Sequence, residues 1–352
     1  MTSRSDGRPT IALAIGDPCG ISPELTAKVL ADDAVQGAAD YIVIGDRRVL
    51  SLGERHAGVT LDIPLVTSEE AAMAASATVF WEQGNLNPED VALGEIALAG
   101  GKSALHNFRT AVDLARRGRV GAVCFTPFNK AAMRLAHPSY EDEIVFLVEE
   151  LGFDGKASEF NILDGLWNAR VTSHVPLRDV ADHITQDLIL ENLELTQASL
   201  VAAGVANPRI AVAALNPHAG DGGNFGTEEI DVITPAVNEG KARGLGCDGP
   251  FPSDTVFVRA RNRQFDAVLT MYHDQGQIAM KLIGFDAGVT LLGGFPFPVC
   301  TPAHGTAYDI AGQGIANVGA SRNALLLAAK MASGKGAQSP APELEDTARA
   351  VS

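Results

Sequence analysis

The sequence predicts an α/β fold of two lobes with the functional site in the cleft between them. Three observations carry this expectation. Short, uninterrupted apolar runs such as TIALAI at residues 10–15 read as strands buried on both faces of a mostly parallel sheet. Segments with helical apolar spacing alternate with them, as βαβ units require. Polar, glycine-rich turns follow the runs, and in such sheets ligands gather at the carboxyl ends of the strands.

Residues 10–15 are the expected first strand. GDPCGISPE at residues 16–24 then turns the chain, with Ser22 expected as N-cap and Pro23 at the first helical position of a helix running to about residue 31. YIVI at residues 41–44 and GAVCF at residues 121–125 repeat the strand-then-turn pattern, and residues 103–117 between them have helical spacing. Residues 169–172, 209–215 and 266–272 are three further expected strands, interleaved with helical segments at 184–204 and 227–243. Each of these three strands leads into a polar turn that carries a histidine. Residues 1–133 and 275–335 are expected to form a discontinuous lobe with the cofactor loop. Residues 134–274 are expected to form the second lobe, with the histidine-bearing turns. Residues 336–352 are expected to be a flexible tail, because from Ser333 onward the chain is rich in Gly, Ala, Pro and Glu.

At 352 residues, 46% hydrophobic and 20% charged, the chain can bury one large or two medium cores. Its 36 glycines against 6% aromatics favour loops whose backbone approaches ligands over an aromatic-packed sandwich. A formal charge of −16 repels phosphate backbones and anionic membranes, so a small-molecule partner is expected, with no nucleic acid and no membrane. Cys19, Cys124, Cys247 and Cys300 lie far apart with no CxxC pair, and read as reduced, packed thiols. The apolar run after the polar residues 1–10 is far too short for a signal segment or a membrane span, which makes the cytoplasm the expected location.

The chemistry-bearing residues lie in the strand-end turns. TSHVPLRD at residues 172–179, NPHAGDGG at 216–223 and YHDQG at 272–276 each place a histidine just beyond an apolar strand. One such histidine is usually a hydrogen-bonded loop residue. Three in the same context point to a catalytic metal site of His174, His218 and His273, suited to zinc, manganese, cobalt, nickel, iron or magnesium. His56, His106, His137 and His183 lack that context and receive no role.

HGTAYDIAGQGIAN at residues 304–317 looks like the adenosine-binding loop of isocitrate and isopropylmalate dehydrogenases. Gly305, Gly312 and Gly314 would let backbone approach an adenine and ribose, and His304 and Asn317 can hydrogen-bond them. Thr306, Ala307 and Asp309 complete the loop. No GxGxxG follows the first strand, so the ordinary Rossmann route to NAD is unsupported. Asp254 and Asp274 are nearby carboxylates that can steer a ligating imidazole or accept a proton. Asp17 is a turn-former or a minor substrate residue.

The 16–24 segment, the three histidine segments, GTEE at residues 226–229, PSDT at 252–255, Lys281 and the 304–317 loop fall in one register over roughly residues 11–330. On these the chain resembles the 4-hydroxythreonine-4-phosphate dehydrogenase family of pyridoxine biosynthesis, related in fold to the two-lobed isocitrate dehydrogenases. The resemblance implies a homodimer in which two of the histidines from one subunit and the third from its neighbour bind one divalent cation. It also implies NAD or NADP, oxidation of a secondary alcohol β to a carboxylate, and frequently loss of that carboxylate. Lys281 would orient substrate or move a proton.

The family pattern breaks where it holds the substrate's phosphate. PSYEDEI at residues 138–144 stands where the family has a Gly-His-Thr-Glu string, so the His and Thr positions fall on Asp142 and Glu143. Counted from Gly284 and Phe285, the family's substrate-contacting Asn and Arg fall on Thr290 and Val299. A lost charge-assisted pair and an added repulsion each disfavour a phosphate ester by roughly 1–3 kcal/mol. The expected substrate is therefore an unphosphorylated hydroxy acid or cis-dihydrodiol acid, as for the terephthalate dihydrodiol dehydrogenase that this branch resembles in what it lacks. The alternatives are the pyridoxine-pathway enzyme itself and a catalytically silent metal-binding sensor.

Overall fold

The computed structural model describes residues 7–334, so the expected tail lies outside the described residues. Twelve strands form one sheet: β1 (Thr10–Ala14), β2 (Asp40–Gly45), β3 (Leu65–Val66), β4 (Val79–Glu82), β5 (Ala122–Phe125), β6 (Ser158–Leu163), β7 (Leu166–Arg170), β8 (Ile210–Ala213), β9 (Cys247–Phe251), β10 (Ala267–Thr270), β11 (Val289–Gly293) and β12 (Val299–Pro302). Their order is β3-β4-β2-β1-β5-β12-β11-β6-β7-β10-β8-β9. Both flanks are parallel, and the middle, β12-β11-β6-β7, is antiparallel. β11 and β12 thus join the strands of residues 1–133 to those of residues 134–274 within a single sheet.

Alternation along β1 shows why both faces are apolar. Ile11 and Leu13 enter one core with Ala27, Leu30, Ala324 and Ala328, from helices Ser22–Leu30 and Gly319–Ala332. Ala12 and Ala14 enter another with Ala104, Phe108 and Ala111 of helix Leu98–Arg116. Strands covered on both sides have no polar face to show, hence their continuous apolar runs. All four cysteines are buried free thiols. No helix among the described residues is long and apolar enough to cross a membrane.

The structure corrects two local expectations. Ser22 does not cap its helix; the helix begins at Ser22, and its hydroxyl donates to the Pro127 carbonyl at 2.8 Å. The 16–22 loop packs so closely on the loop after β5 that a Cβ on Gly16 would stand 2.1 Å from the Thr126 carbonyl oxygen. A buried hydroxyl there takes the partner across the gap. The segment expected as one helix at 227–243 starts with a π-type turn, Glu229–Ile233, before helix Thr234–Ala242. In this turn the buried Glu229 carboxylate accepts from the Leu215 and Asn216 amides of the preceding loop.

Candidate active site

A cleft of about 470 Å³ opens at the ends of β5, β7 and β12 and beside the starts of the antiparallel β6 and β11. His174, Asp142, Glu143, Thr290, His304 and Gly305 all line it. Three antiparallel pairings separate β12 from β7, so β5 and β12 run opposite to β7, and the cleft lies across the antiparallel middle of the sheet, where Thr290 pairs with Thr301 and Leu292 with Glu159.

The metal histidines are only partly brought together. β7 and β10 are adjacent, and the rings of His174 and His273, which follow them, have centroids 6.1 Å apart. Two imidazoles on one ion would stand roughly 5 Å apart, given metal–nitrogen distances near 2.1 Å, so a small side-chain rotation closes the gap. Asp274 bonds Nδ1 of His273 at 2.6 Å, which leaves Nε2 for an ion, and Asp142 Oδ2 lies 3.8 Å from Nδ1 of His174. Two imidazoles supply part of the donor set that a divalent cation needs. His218 does not converge with the other two within one chain. Its ring stands by Phe225, with centroids 6.2 Å apart, and among the described residues no three His, Cys, Asp or Glu side chains form a metal-holding group.

The loop that carries His218 accounts for the separation. Backbone φ is positive at His218, Ala219 and Asp221, values of 53°, 54° and 45° that side-chain-bearing residues rarely adopt. The buried Glu229 carboxylate holds this shape by accepting from the Leu215 and Asn216 amides at 2.8 and 2.7 Å. Gln275 ties the neighbouring strand ends, accepting from the Met271 amide at 2.7 Å and donating to the Ala214 carbonyl at 2.7 Å. Gly276 lets the His273–Gly284 helix lie on β7, since a Cβ there would meet the Asn168 amide at 2.2 Å. Sequence reasoning gave Glu229 and Gln275 no role. Their positions in GTEE and YHDQG were the available signal.

The expected substrate positions separate into lining and buried residues. Asp142 caps helix Glu143–Leu151 by accepting from the Val145 amide at 2.9 Å, and Glu143 accepts from the Tyr140 hydroxyl at 2.9 Å. Both still face the cleft. Thr290 lines it as well, and Asn161 Nδ2 lies 3.4 Å from its hydroxyl. Val299 is the correction: it is 0% exposed in the core with Phe125 and Leu292 and does not line the cleft. It shares a sheet face with its partner Leu292, which lines the cleft, but is packed fully beneath that lining. Asp17 is also outside the lining; it is 1% exposed, with Oδ1 accepting from the Cys19 amide and Oδ2 from the Tyr308 hydroxyl. Burial raises its pKa, against the lowering effect of those hydrogen bonds.

Tyr308 belongs to the 304–317 loop, which the 16–24 segment braces. The Ile21 amide donates to the Thr306 carbonyl at 3.0 Å. Glu24 accepts from the Ala316 amide at 2.8 Å and the Gly314 amide at 3.2 Å, while Lys28 donates to Glu24 and to the carbonyls of Gly314 and Ala316. Gly312 and Gly314 have φ of 78° and 75° and pack against His56, which therefore touches this loop after all. Gly305 differs: a Cβ there would meet nothing within 4 Å. Its openness leaves room beside His304, whose Nδ1 is 3.0 Å from the Gly305 carbonyl. Ala307 takes a left-handed conformation, Asp309 and Asn317 are exposed, and the Asn317 side chain accepts from the Gly319 amide at 2.8 Å.

Lys281, Asp254 and Asp274 are exposed and outside the cleft lining of a single chain. Lys281 stands two turns beyond His273 on the same helix, next to Leu282, which is 82% exposed. A residue with the opposite character was missed: Arg170, at the end of β7, is buried in the cleft wall.

These features define an α/β scaffold with its candidate site across the antiparallel middle of the sheet. Comparison with known proteins makes the assignment specific. Residues 37–328 match the family model described as "Pyridoxal phosphate biosynthetic protein PdxA", and the chain belongs to that family. A Rhizobium meliloti protein named "Putative 4-hydroxythreonine-4-phosphate dehydrogenase 2" is 60% identical over 97% of this chain and 99% of its own length. The crystal structure of a Klebsiella pneumoniae 4-hydroxythreonine-4-phosphate dehydrogenase is similar with a TM-score of 0.78 at 33% identity, covering 92% of this chain and 99% of that one. A terephthalate 1,2-cis-dihydrodiol dehydrogenase from Burkholderia xenovorans is similar with a TM-score of 0.64 at 28% identity, covering 92% and 98%. With relatives that carry dehydrogenase names, the chain is an oxidoreductase of this family.

Proposed function

We propose that this protein is an NAD(P)- and divalent-metal-dependent dehydrogenase that oxidises a secondary alcohol β to a carboxylate, acting on an unphosphorylated hydroxy acid or cis-dihydrodiol acid. The observation that carries the reading is the pairing of His174 with His273, oriented by Asp274, at a cleft that also reaches His304 and Gly305. His174, His218 and His273 would hold the cation, and the 304–317 loop would hold the adenosine of the cofactor. When bound, the cation lowers the proton affinity of the alcohol oxygen and can stabilise an enolate, and the nicotinamide accepts hydride.

The chain's own residues position these groups. Asp274 keeps a proton on Nδ1 of His273 and so presents the other ring nitrogen. Lys281 orients the substrate or moves a proton, and Asp254 is a further proton acceptor. Both need a second chain to face the cleft. The proposed homodimer completes the site with a partner histidine. Exposed apolar side chains beside the histidines support that association: Ile278 and Leu282 on the His273 helix, Phe225 and Ile230 after the His218 loop.

For the substrate, the carboxylates of Asp142 and Glu143 stand where a phosphate dianion would be repelled, and Val299 offers no charge. The pyridoxine-pathway reading, which matches the name of the Rhizobium relative, is favoured by one observation: a cation, Arg170, is present in the same cleft. Cofactor reduction on 4-phosphohydroxythreonine and on a panel of unphosphorylated hydroxy acids, with one metal added at a time, separates the two. Efficient turnover of the phosphorylated substrate overturns the favoured reading. No turnover with any substrate leaves the silent sensor.

A further inference from the structure

We propose that Arg170 anchors a terminal oxyanion of the substrate, replacing the phosphate ligands this chain lacks at Asp142, Glu143, Thr290 and Val299. The inference rests on the dehydrogenase reading only for calling that ligand a substrate. Arg170 is the last residue of β7, on the same side of the strand as Asn168, and lines the cleft. It is 3% exposed. Arginine is almost never buried to this extent without partners that use its donors.

Here the donors are largely unused. Nε, Nη1 and Nη2 make no hydrogen bond of good geometry, although Nη2 lies 3.0 Å from Glu159 Oε1. The same oxygen, Oε1, also has a second neighbour. Asn161 donates to it at 3.1 Å and in turn accepts from Gln277. Glu159 therefore supplies countercharge and leaves the planar guanidinium fork unfilled.

A fork of N–H donors inside a water-poor cleft fits two oxygens of a carboxylate or a phosphoryl group. Lys156, Ser158, Asn192 and Thr290 add polar wall around it. The shared ligand chemistry is an oxyanion. Asp142, Glu143 and Glu159 in the lining are matched by Lys130, Lys156 and Arg170, so either a carboxylate or a phosphoryl group can be its source. The alternative is that Arg170 only braces β6 against β7 through Glu159.

The two roles predict opposite responses in thermal melts and calorimetric titrations with inorganic phosphate and with succinate, which need neither metal nor nicotinamide. Wild-type protein should be stabilised by at least one probe. Arg170→Met, which keeps the volume and removes the donors, should melt no lower than wild type and bind that probe at least about tenfold more weakly. Glu159→Gln, which frees the fork, should bind it more tightly. Binding of succinate or of phosphate alone identifies the source. The proposal is overturned if neither probe binds wild-type protein, if Arg170→Met keeps wild-type affinity, or if Glu159→Gln does not tighten binding. The Glu159→Gln result decides should Arg170→Met fail to fold. Because the readout is binding, oxyanion capture without dehydrogenase activity would sink the functional reading and leave this one standing.

Discussion

Glu24 should control whether the 304–317 loop keeps its shape, although it lies 280 or more residues away in sequence. Its side chain is buried, 1% exposed, and accepts from the Gly314 and Ala316 amides while pairing with Lys28 at 2.7 Å. Hydrogen bonds to a charged group contribute roughly 1.5–3 kcal/mol each, and the longer Gly314 contact belongs at the low end. Lys28 is partly exposed and can recover hydration, so its lost pairing adds little. Glu24→Ala should therefore cost about 3–4.5 kcal/mol of local stability. At about 1.4 kcal/mol per decade, hydrogen exchange at the Ala316 amide should accelerate by roughly 140- to 1,600-fold. The amide of Leu13 in β1 serves as the internal reference and should change much less. NAD+ titration should show weaker binding in the same variant. Unchanged exchange at Gly314 and Ala316 would refute the claim that this carboxylate holds the loop.

Replacing His174, His218 or His273 by Ala should abolish metal retention, read by elemental analysis, and leave the α/β circular-dichroism spectrum intact; full activity in any variant removes that ligand. Because His218 stands apart from the other two in one chain, mixing His218→Ala with His273→Ala protein should regain part of the activity, and none after verified subunit exchange counts against a shared site. Gly312→Val should weaken NAD+ binding far more than Gly305→Ala, since the first forces a left-handed backbone against Leu93 and His56 while the second meets open space; equal effects would contradict this. For Asp17, burial raises the folded pKa above the unfolded one, so its contribution to stability is present in acid and is lost as pH rises through the folded value. Asp17→Asn, which mimics the neutral acid, should therefore melt close to wild type in acid and higher at neutral pH, and a lower melting point at neutral pH would show the opposite sign.

The strands that were legible in the sequence were those buried on both faces. β1, β2, β5, β8 and β10 all appear where apolar runs predict them, because burial from both sides leaves an unbroken run that needs no knowledge of the partner strand, whereas β7, LWNAR at Leu166–Arg170, shares only residues 169–170 with the strand expected at 169–172. β11 and β12 were not legible: their few residues sit among the glycines and prolines of 284–303, and pairing with β6 and β5 makes them strands. β9 contains Gly249 and Pro250 and is held as an edge strand by β8 alone.

By itself, then, the sequence determined the α/β class, the family register and the residue types at the strand ends. Those depend on periodicity and on short motifs, which are local properties. The tertiary structure decided which of those residues share a space. It placed His174 beside His273 and kept His218 apart on a left-handed loop, turned Val299 into the core, and gave the Ser22 hydroxyl to Pro127. It also gave Glu24, Glu229 and Arg170 their tasks. The physical reason is the same in each case: a polar side chain removed from water takes the nearest partner in space, and the packing of helix on loop that brings residue 24 to residue 316 cannot be read from spacing along the chain.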